Sequence, residues 1–182
     1  PDRLTLCVWS PALDASGNVW SWGSNGRGRL GDGSNVDSVR PVRLSGLPTM
    51  VAVVASAQHS LALAQDGSVW AWGANDYGQL GDGTTVDRWT PVRVSGLSGV
   101  RELATRNTHN LARDASGVVW AWGYGGAGQL GDGLAINHTL PTRVPGLTGV
   151  LALAAGVGHS MAVAADGQLM AWGENLAGQL GI

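Results

Sequence analysis

Short apolar runs alternate with Gly-rich turns along the whole chain, and they do so in one fixed order. A run such as Ser60 to Ala64 or Ser160 to Ala165 is followed by a turn, and then by a run such as Val69 to Trp72. The turns read DASG at Asp14 to Gly17 and Asp114 to Gly117, AQDG at Ala64 to Gly67, and AADG at Ala164 to Gly167. Asp-Gly or Ser-Gly between two apolar runs predicts a β-hairpin, because the turn needs a residue tolerant of positive φ. A further run, Val51 to Ala55, Val100 to Ala104 or Val150 to Ala155, precedes each pair. Trp70 and Trp72 point to one face of their strand, Val69 and Ala71 to the other, so both faces are apolar. Strands of that kind belong in sheets packed between other sheets.

A fourth run, Pro41 to Leu44, Pro91 to Val94 and Pro141 to Val144, opens on proline, which lacks a ladder donor and predicts an edge strand. Between the third and fourth runs lies a long Gly-rich connection, Gly23 to Arg40, Gly73 to Thr90 and Gly123 to Leu140.

The whole order repeats. VWSWGSNGRGRLGDG from Val19, VWAWGANDYGQLGDG from Val69, VWAWGYGGAGQLGDG from Val119 and LMAWGENLAGQLGI from Leu169 place Trp22, Trp72, Trp122 and Trp172 fifty positions apart. Such a period means similar units that cover one another's apolar faces by stacking. Three to four antiparallel strands per unit, with an edge strand last, predict an all-β fold: a β-propeller with about four blades in this chain, a partial ring. A helical solenoid is the competing reading of the period, but Asp-Gly turns, Pro and Gly leave no clean helical run of sufficient length. The expected organisation is one array over residues 1–182, with units at about 1–50, 51–100, 101–150 and 151–182, the last truncated. The opening, Pro1 to Ser10, matches poorly: Trp9 stands where later units have His59, His109 and His159.

Composition agrees with many short strands: 29 Gly, nine Trp and no Phe in 182 residues. Eleven Arg, no Lys and thirteen acids leave no basic footprint for nucleic acid. Cys7 is the single cysteine, so there is neither an internal disulfide nor a thiolate metal cluster, and it reads as a small core residue. No stretch of eighteen apolar residues is free of Gly and charge, and no charged-then-apolar leader opens the chain. A soluble protein without membrane or cofactor follows as the expectation, with the cytoplasm slightly favoured. A start at Pro1 rather than Met points to trimming or a larger parent.

His59, His109 and His159 recur beside Ser60, Asn110 and Ser160. A whole blade separates equivalent positions, so a structural role, with a ring nitrogen on neighbouring backbone, is preferred to one shared metal ion. Asp32, Asp82 and Asp132 each sit between two glycines, and one carboxylate per turn suits a local amide bond better than a calcium loop. Arg43, Arg93 and Arg143 recur in step and are candidates for blade-to-blade ion pairs. Trp20, Trp70 and Trp120 read as packing between blades rather than a ligand cage. No catalytic set stands out, and GxGxxG-like matches from Gly73 onward arise from the repeat.

Recurring positions are explained by stacking, so function is expected where units differ. Arg27, Tyr77 and Tyr124 in the variable tips, and Arg88, Trp89 and His138 in the variable linkers, are the candidate partner-binding residues. His138 is expected to be exposed, and Trp89 either binds or covers a neighbouring blade.

The combined pattern of His-Ser, apolar run, Asp-Gly, Val-Trp-Ala-Trp-Gly, Asn, Gly-Gln-Leu-Gly-Asp-Gly, Pro-x-Arg-Val and Gly-Leu resembles the regulator of chromosome condensation repeat. The resemblance covers essentially the whole chain, three times nearly complete, with a fourth copy stopping at Ile182. It implies a propeller, usually a closed ring of seven blades, acting mainly as a binding platform for other proteins. The family's eukaryotic founder also exchanges nucleotide on a small GTPase through an inserted hairpin and touches chromatin through loops and a basic tail. No such insertion interrupts the repeats here.

About four blades leave two apolar sheet faces open, each well beyond what a monomer tolerates. Either the chain is an excerpt of a longer ring, or copies associate until the ring closes, two copies giving eight blades. The expected function is therefore a non-catalytic protein-interaction scaffold that closes its ring by self-association. A guanine-nucleotide exchange factor and a self-assembling repeat fragment with no further partner are the alternatives.

Overall fold

The computed structural model describes residues 9–182, in which fourteen strands and no helix occur. Cys7 and the opening run before Trp9 lie outside the described residues. Blade 1 is β1 (Trp9–Leu13), β2 (Val19–Gly23) and β3 (Ser38–Arg43). Blade 2 is β4 (Met50–Ala55), β5 (His59–Ala64), β6 (Val69–Gly73) and β7 (Arg88–Arg93). Blade 3 repeats it with β8 (Val100–Thr105), β9 (His109–Asp114), β10 (Val119–Gly123) and β11 (His138–Arg143). Blade 4 is β12 (Val150–Ala155), β13 (His159–Ala164) and β14 (Leu169–Gly173). Each sheet is an antiparallel meander in sequence order, three, four, four and three strands wide. This is a partial β-propeller of four blades. Among the described residues no helix is long and apolar enough to cross a membrane.

The turns form where Asp-Gly and Ser-Gly predict them. In the first, Asp14 Oδ1 accepts the amides of Ser16 and Asn18, and Gly17 takes φ +77°. Gly67 adopts φ +81°, and a Cβ there would stand 2.8 Å from the Gly99 Cα, so turn and linker touch backbone to backbone. That closeness lets the Val100 amide donate to the Gly67 carbonyl, tying the hairpin of one blade to the inner strand of the next. Met50 to Gly17 and Val150 to Gly117 repeat the tie.

Strand β8 meets β4 on one side and β12 on the other, and the three form the inner wall. The outer strands differ from expectation. Each begins three residues before its proline, at Ser38, Arg88 or His138, and ends at the arginine. Arg88 and Trp89 therefore lie in β7, and His138 in β11, rather than in linkers. The register explains this: Gly73 pairs with Arg88 and Ala71 with Val92, so Trp89, Thr90 and Pro91 bulge opposite the single residue Trp72. A proline inside the bulge costs no ladder bond. The bulge also turns the Trp89 carbonyl outward, where it accepts the Gly33 amide of blade 1 at 2.8 Å; the Thr139 carbonyl takes the Gly83 amide in the same way.

The core lies between blades. Leu61, Leu63, Val69 and Ala71 on the forward face of blade 2 pack on Ala112, Trp120 and Trp122 on the rear face of blade 3. Leu111, Val119 and Ala121 pack likewise on Ala162, Met170 and Trp172. Val19 meets Ala62, Trp70 and Trp72 at the first joint. Trp70 and Trp120 thus pack between blades, as expected.

Candidate functional site

Each joint is sealed by one constellation. The Gln79 carbonyl of blade 2 accepts two donors from blade 3, Trp122 Nε1 at 3.0 Å and Asn110 Nδ2 at 2.8 Å. Arg29 O receives Trp72 Nε1 and Ser60 Oγ, and Gln129 O receives Trp172 Nε1 and Ser160 Oγ. The indole reaches so close because a glycine faces it: a Cβ on Gly81, at φ +65°, would lie 2.9 Å from Trp122 Nε1.

The histidines complete these joints, with side chains of the next blade as their closest partners. His59 Nε2 lies 2.7 Å from Asn110 Oδ1 of the next blade, and His109 Nε2 lies 3.0 Å from Ser160 Oγ. Asn110 gives its amide to Gln79, so its oxygen faces His59, which must carry its proton on Nε2. For His59 the main-chain partner anticipated from sequence is replaced by a side chain of the following unit; His109 has the His159 backbone beside it as well as Ser160. Burial lowers both imidazoles to a pKa of about 4, and for His109 the neighbouring His59 and His159 add to the effect. Both rings are therefore neutral at pH 7. Trp9, at the equivalent position of blade 1, is buried, and among the described residues its Nε1 has no partner. Among the described residues no three His, Cys, Asp or Glu side chains gather as metal donors.

The meander places the long connections and the β4–β5 type loops at one end of the blades and the Asp-Gly turns at the other. Within the long connections, Asn75 Oδ1 accepts the Leu80 amide while Nδ2 reaches Thr84 O. Asn25 does the same in blade 1. Asp32, Asp82 and Asp132 accept the amides of Ser34, Thr84 and Leu134, the local turn role expected of them. Burial opposes ionisation of Asp82, yet hydrogen bonds from Thr84 and Arg88 outweigh it and hold the carboxyl below its usual range.

The six candidate residues all lie toward this end, with different engagements. Arg88 pairs with Asp82, and His138 Nε2 lies 2.6 Å from Asp132 Oδ2, so His138 is half-buried rather than exposed. Trp89 remains 44% exposed while its ring sits over Gly28 of blade 1, where a Cβ would meet it at 2.4 Å. Arg27 reaches across to blade 2, pairing with Asp76 at 2.9 Å and with Asp87. These contacts raise its pKa, Asp87 more than Asp76. Here is the blade-to-blade ion pair that sequence reasoning assigned to Arg43, Arg93 and Arg143. Among the described residues no ion pair includes those three; Arg43 instead donates to Asn18 in its own blade. Tyr77 and Tyr124, from successive blades, meet edge to face with centroids 5.0 Å apart.

Sequence reasoning passed over Asp76, Asp87, Gln129 and Glu174. For Asp76 the signal was available in the register: Arg27, at position 27 of one unit, faces position 26 of the next, as Tyr77 faces Tyr124 at position 24.

The two end faces stand apart from the joints. Leu169 is 66% exposed, whereas Val19, Val69 and Val119 at the same position are at most 1% exposed. Met161 is half-buried where Leu61 and Leu111 are fully buried, and Trp22 is half-buried where Trp72 and Trp122 are fully buried.

Comparison with known proteins places this geometry. Models of the regulator of chromosome condensation (RCC1) repeat match residues 16–63, 66–112 and 116–163, and a second model of that repeat matches 50–79 and 150–179. The structure of human WBSCR16 is similar at a TM-score of 0.82, with 26% identity over 91% of this chain and 45% of that one. Yeast RCC1 (Prp20), solved with Kap60 bound to it, gives 0.79, with 25% identity over 92% of this chain and 42% of its own. A further structure of Prp20p from Saccharomyces cerevisiae gives 0.75, with 26% identity over 91% and 43%. The chain spans less than half the length of these relatives. With repeat models matching most of its length, the chain belongs to the regulator of chromosome condensation (RCC1) repeat family.

Proposed function

We propose that this chain is a non-catalytic scaffold for protein contact, and that its two terminal blades are covered by those of a second copy to close an eight-bladed ring. One observation carries the reading: on the forward face of blade 4, Leu169 is 66% exposed where Val19, Val69 and Val119 are buried at the joints, and among the described residues Trp22 of blade 1 is less buried than Trp72 and Trp122. The forward face of blade 4 carries Met161, Leu169 and Ala171, the counterparts of residues that bury Trp72, Trp122 and Trp172 elsewhere. The rear face of blade 1 carries Trp20 and Trp22, the counterparts of Trp70 and Trp72 in blade 2 and of Trp120 and Trp122 in blade 3. In a two-fold ring, Gln179 O of one copy receives Trp22 Nε1 and Ser10 Oγ of the other, repeating the joint chemistry. Yeast relatives are described as bound to Kap60 and as binding Gsp1p and histones, which supports a contact role for the fold.

Light scattering tests the ring. The expected mass is twice 18.7 kDa, falling to one copy in Met161→Asp, which puts a charge on the forward face. A stable monomer of the unaltered chain at micromolar concentration overturns closure by copies. The exchange-factor alternative predicts faster release of labelled nucleotide from a small GTPase; the scaffold reading predicts no acceleration.

A further inference from the structure

An open groove of about 330 Å³ lies between blades 3 and 4, at the end that carries the long connections. Tyr77, Tyr124, Gln129, Val157, Gly158 and Glu174 are among the residues that line it. Apart from Gln129, which recurs as Gln79 and Gln179, its residues come from positions where the units differ. Tyr124 stands where other units have Ser24, Ala74 and Glu174, and Gly158 stands where they have Gln58 and Thr108. Joint packing therefore does not account for them.

Two glycines shape the groove. A Cβ on Gly126 would lie 2.4 Å from the Tyr124 hydroxyl, and one on Gly158 would lie 2.4 Å from Glu174 Oε2. Tyr124 and Glu174 thus fold down over bare backbone. Glu174 is the single charged side chain in the lining, and among the described residues its carboxylate has no hydrogen-bond or ion-pair partner. Gln129 is 1% exposed and pinned: its Oε1 accepts the Ala127 amide, and its carbonyl holds Trp172 and Ser160. Among the described residues its Nε2 has no partner.

We propose that this groove binds an extended segment of a partner protein through one arginine side chain. An aromatic wall attracts a cation by its ring quadrupole, and an unpaired carboxylate beside it completes the charge match. A guanidinium satisfies both, because it is planar enough to lie along a tyrosine ring and forked enough to bond a carboxylate twice. The unpartnered Gln129 amide offers a donor to a carbonyl of the segment. The volume suits one long side chain with adjoining main chain. This deepens the scaffold reading and rests on it, naming the partner chemistry of one surface.

The test uses the full chain, isotopically labelled, with three capped pentapeptides, Gly-Ala-Arg-Ala-Gly and its lysine and citrulline counterparts. The arginine peptide is expected to shift the amide resonances of Tyr77, Tyr124, Gly158 and Glu174 saturably, and the lysine peptide to do so several-fold more weakly. Citrulline keeps the shape without the charge and is expected to leave them unmoved. Glu174→Gln and Gly158→Ala, the second displacing the carboxylate, are each expected to weaken the arginine peptide about tenfold. Equal shifts with citrulline, full binding by Glu174→Gln, or a lysine peptide as tight as arginine overturns the proposal. If the groove resonances stay still while scattering shows the closed ring, the groove assignment fails and the scaffold stands. A monomeric mass alongside a specific arginine response overturns the ring and leaves the groove.

Discussion

The indole nitrogen of Trp122 lies 3.0 Å from the carbonyl oxygen of Gln79, forty-three residues earlier and one blade away. The same oxygen holds Asn110, whose own oxygen faces His59. A single main-chain carbonyl thus gathers two side chains, and a third through one of them.

Trp122→Phe removes the donor and replaces the buried indole with a smaller ring. It is expected to cost about 2 kcal/mol or more in urea denaturation, from the lost bond and the cavity together, although Asn110 still satisfies the carbonyl. Asn110→Ala removes the second donor and strands His59. The double variant is expected to lose more than the sum, because the buried carbonyl is then left without any partner.

The histidines set a pH dependence. Their folded pKa of about 4 lies below the ordinary 6.5, so between those values the unfolded chain binds more protons than the folded one. Stability is full above about pH 6.5 and falls as pH drops towards 4, by on the order of 2 to 3 kcal/mol for each ring. Depressed carboxylates such as Asp82 act lower, losing their contribution only below their ordinary 3.8. Urea midpoints at pH 7.5, 5.5 and 4.5 are expected to fall, and His59→Gln to flatten the slope by about half.

Arg27 bridges blades 1 and 2 from a partly exposed position, and Asp76 is more than half exposed. Arg27→Met is therefore expected to cost only about 0.5 to 1 kcal/mol at low salt. In 1 M sodium chloride the difference in melting temperature is expected to shrink towards nothing, as screening removes the pair's contribution from the unaltered chain.

Gly81→Ala meets two obstacles at once, a φ of +65° and a Cβ within 3 Å of both Val94 and Trp122. Loss of about 2 kcal/mol or more is expected. Gly133→Ala has the same backbone problem at φ +80° with no atom nearby, and is expected to cost about 1 kcal/mol. Thermal denaturation of the two variants separates strain from crowding.

The blades were legible because Asp14, Asp66, Asp114 and Asp166 punctuate strands whose two faces are both apolar. The outer strands were misplaced by three residues because Ser38, Arg88 and His138 are polar, and a strand covered on neither side shows no period to read. The histidine partners were missed for another reason. His59 and Asn110 are fifty-one positions apart, so nothing local joins them; only superposing one unit on the next brings the pair together. Arg27 is a similar case, its acids lying 49 and 60 positions on. The recurrence of Arg43, Arg93 and Arg143 suggested a shared ion pair, but recurrence marks a shared environment, which for Arg43 is its own hairpin.

Every seam uses the same carbonyl, the same indole and the same glycine, so nothing in that chemistry tells a sheet which neighbour it has met. Order is kept by the covalent thread alone. During refolding at high concentration, a sheet from one molecule can dock on any sheet of another with native-quality bonds, and such arrays are expected to tangle unless refolded dilute.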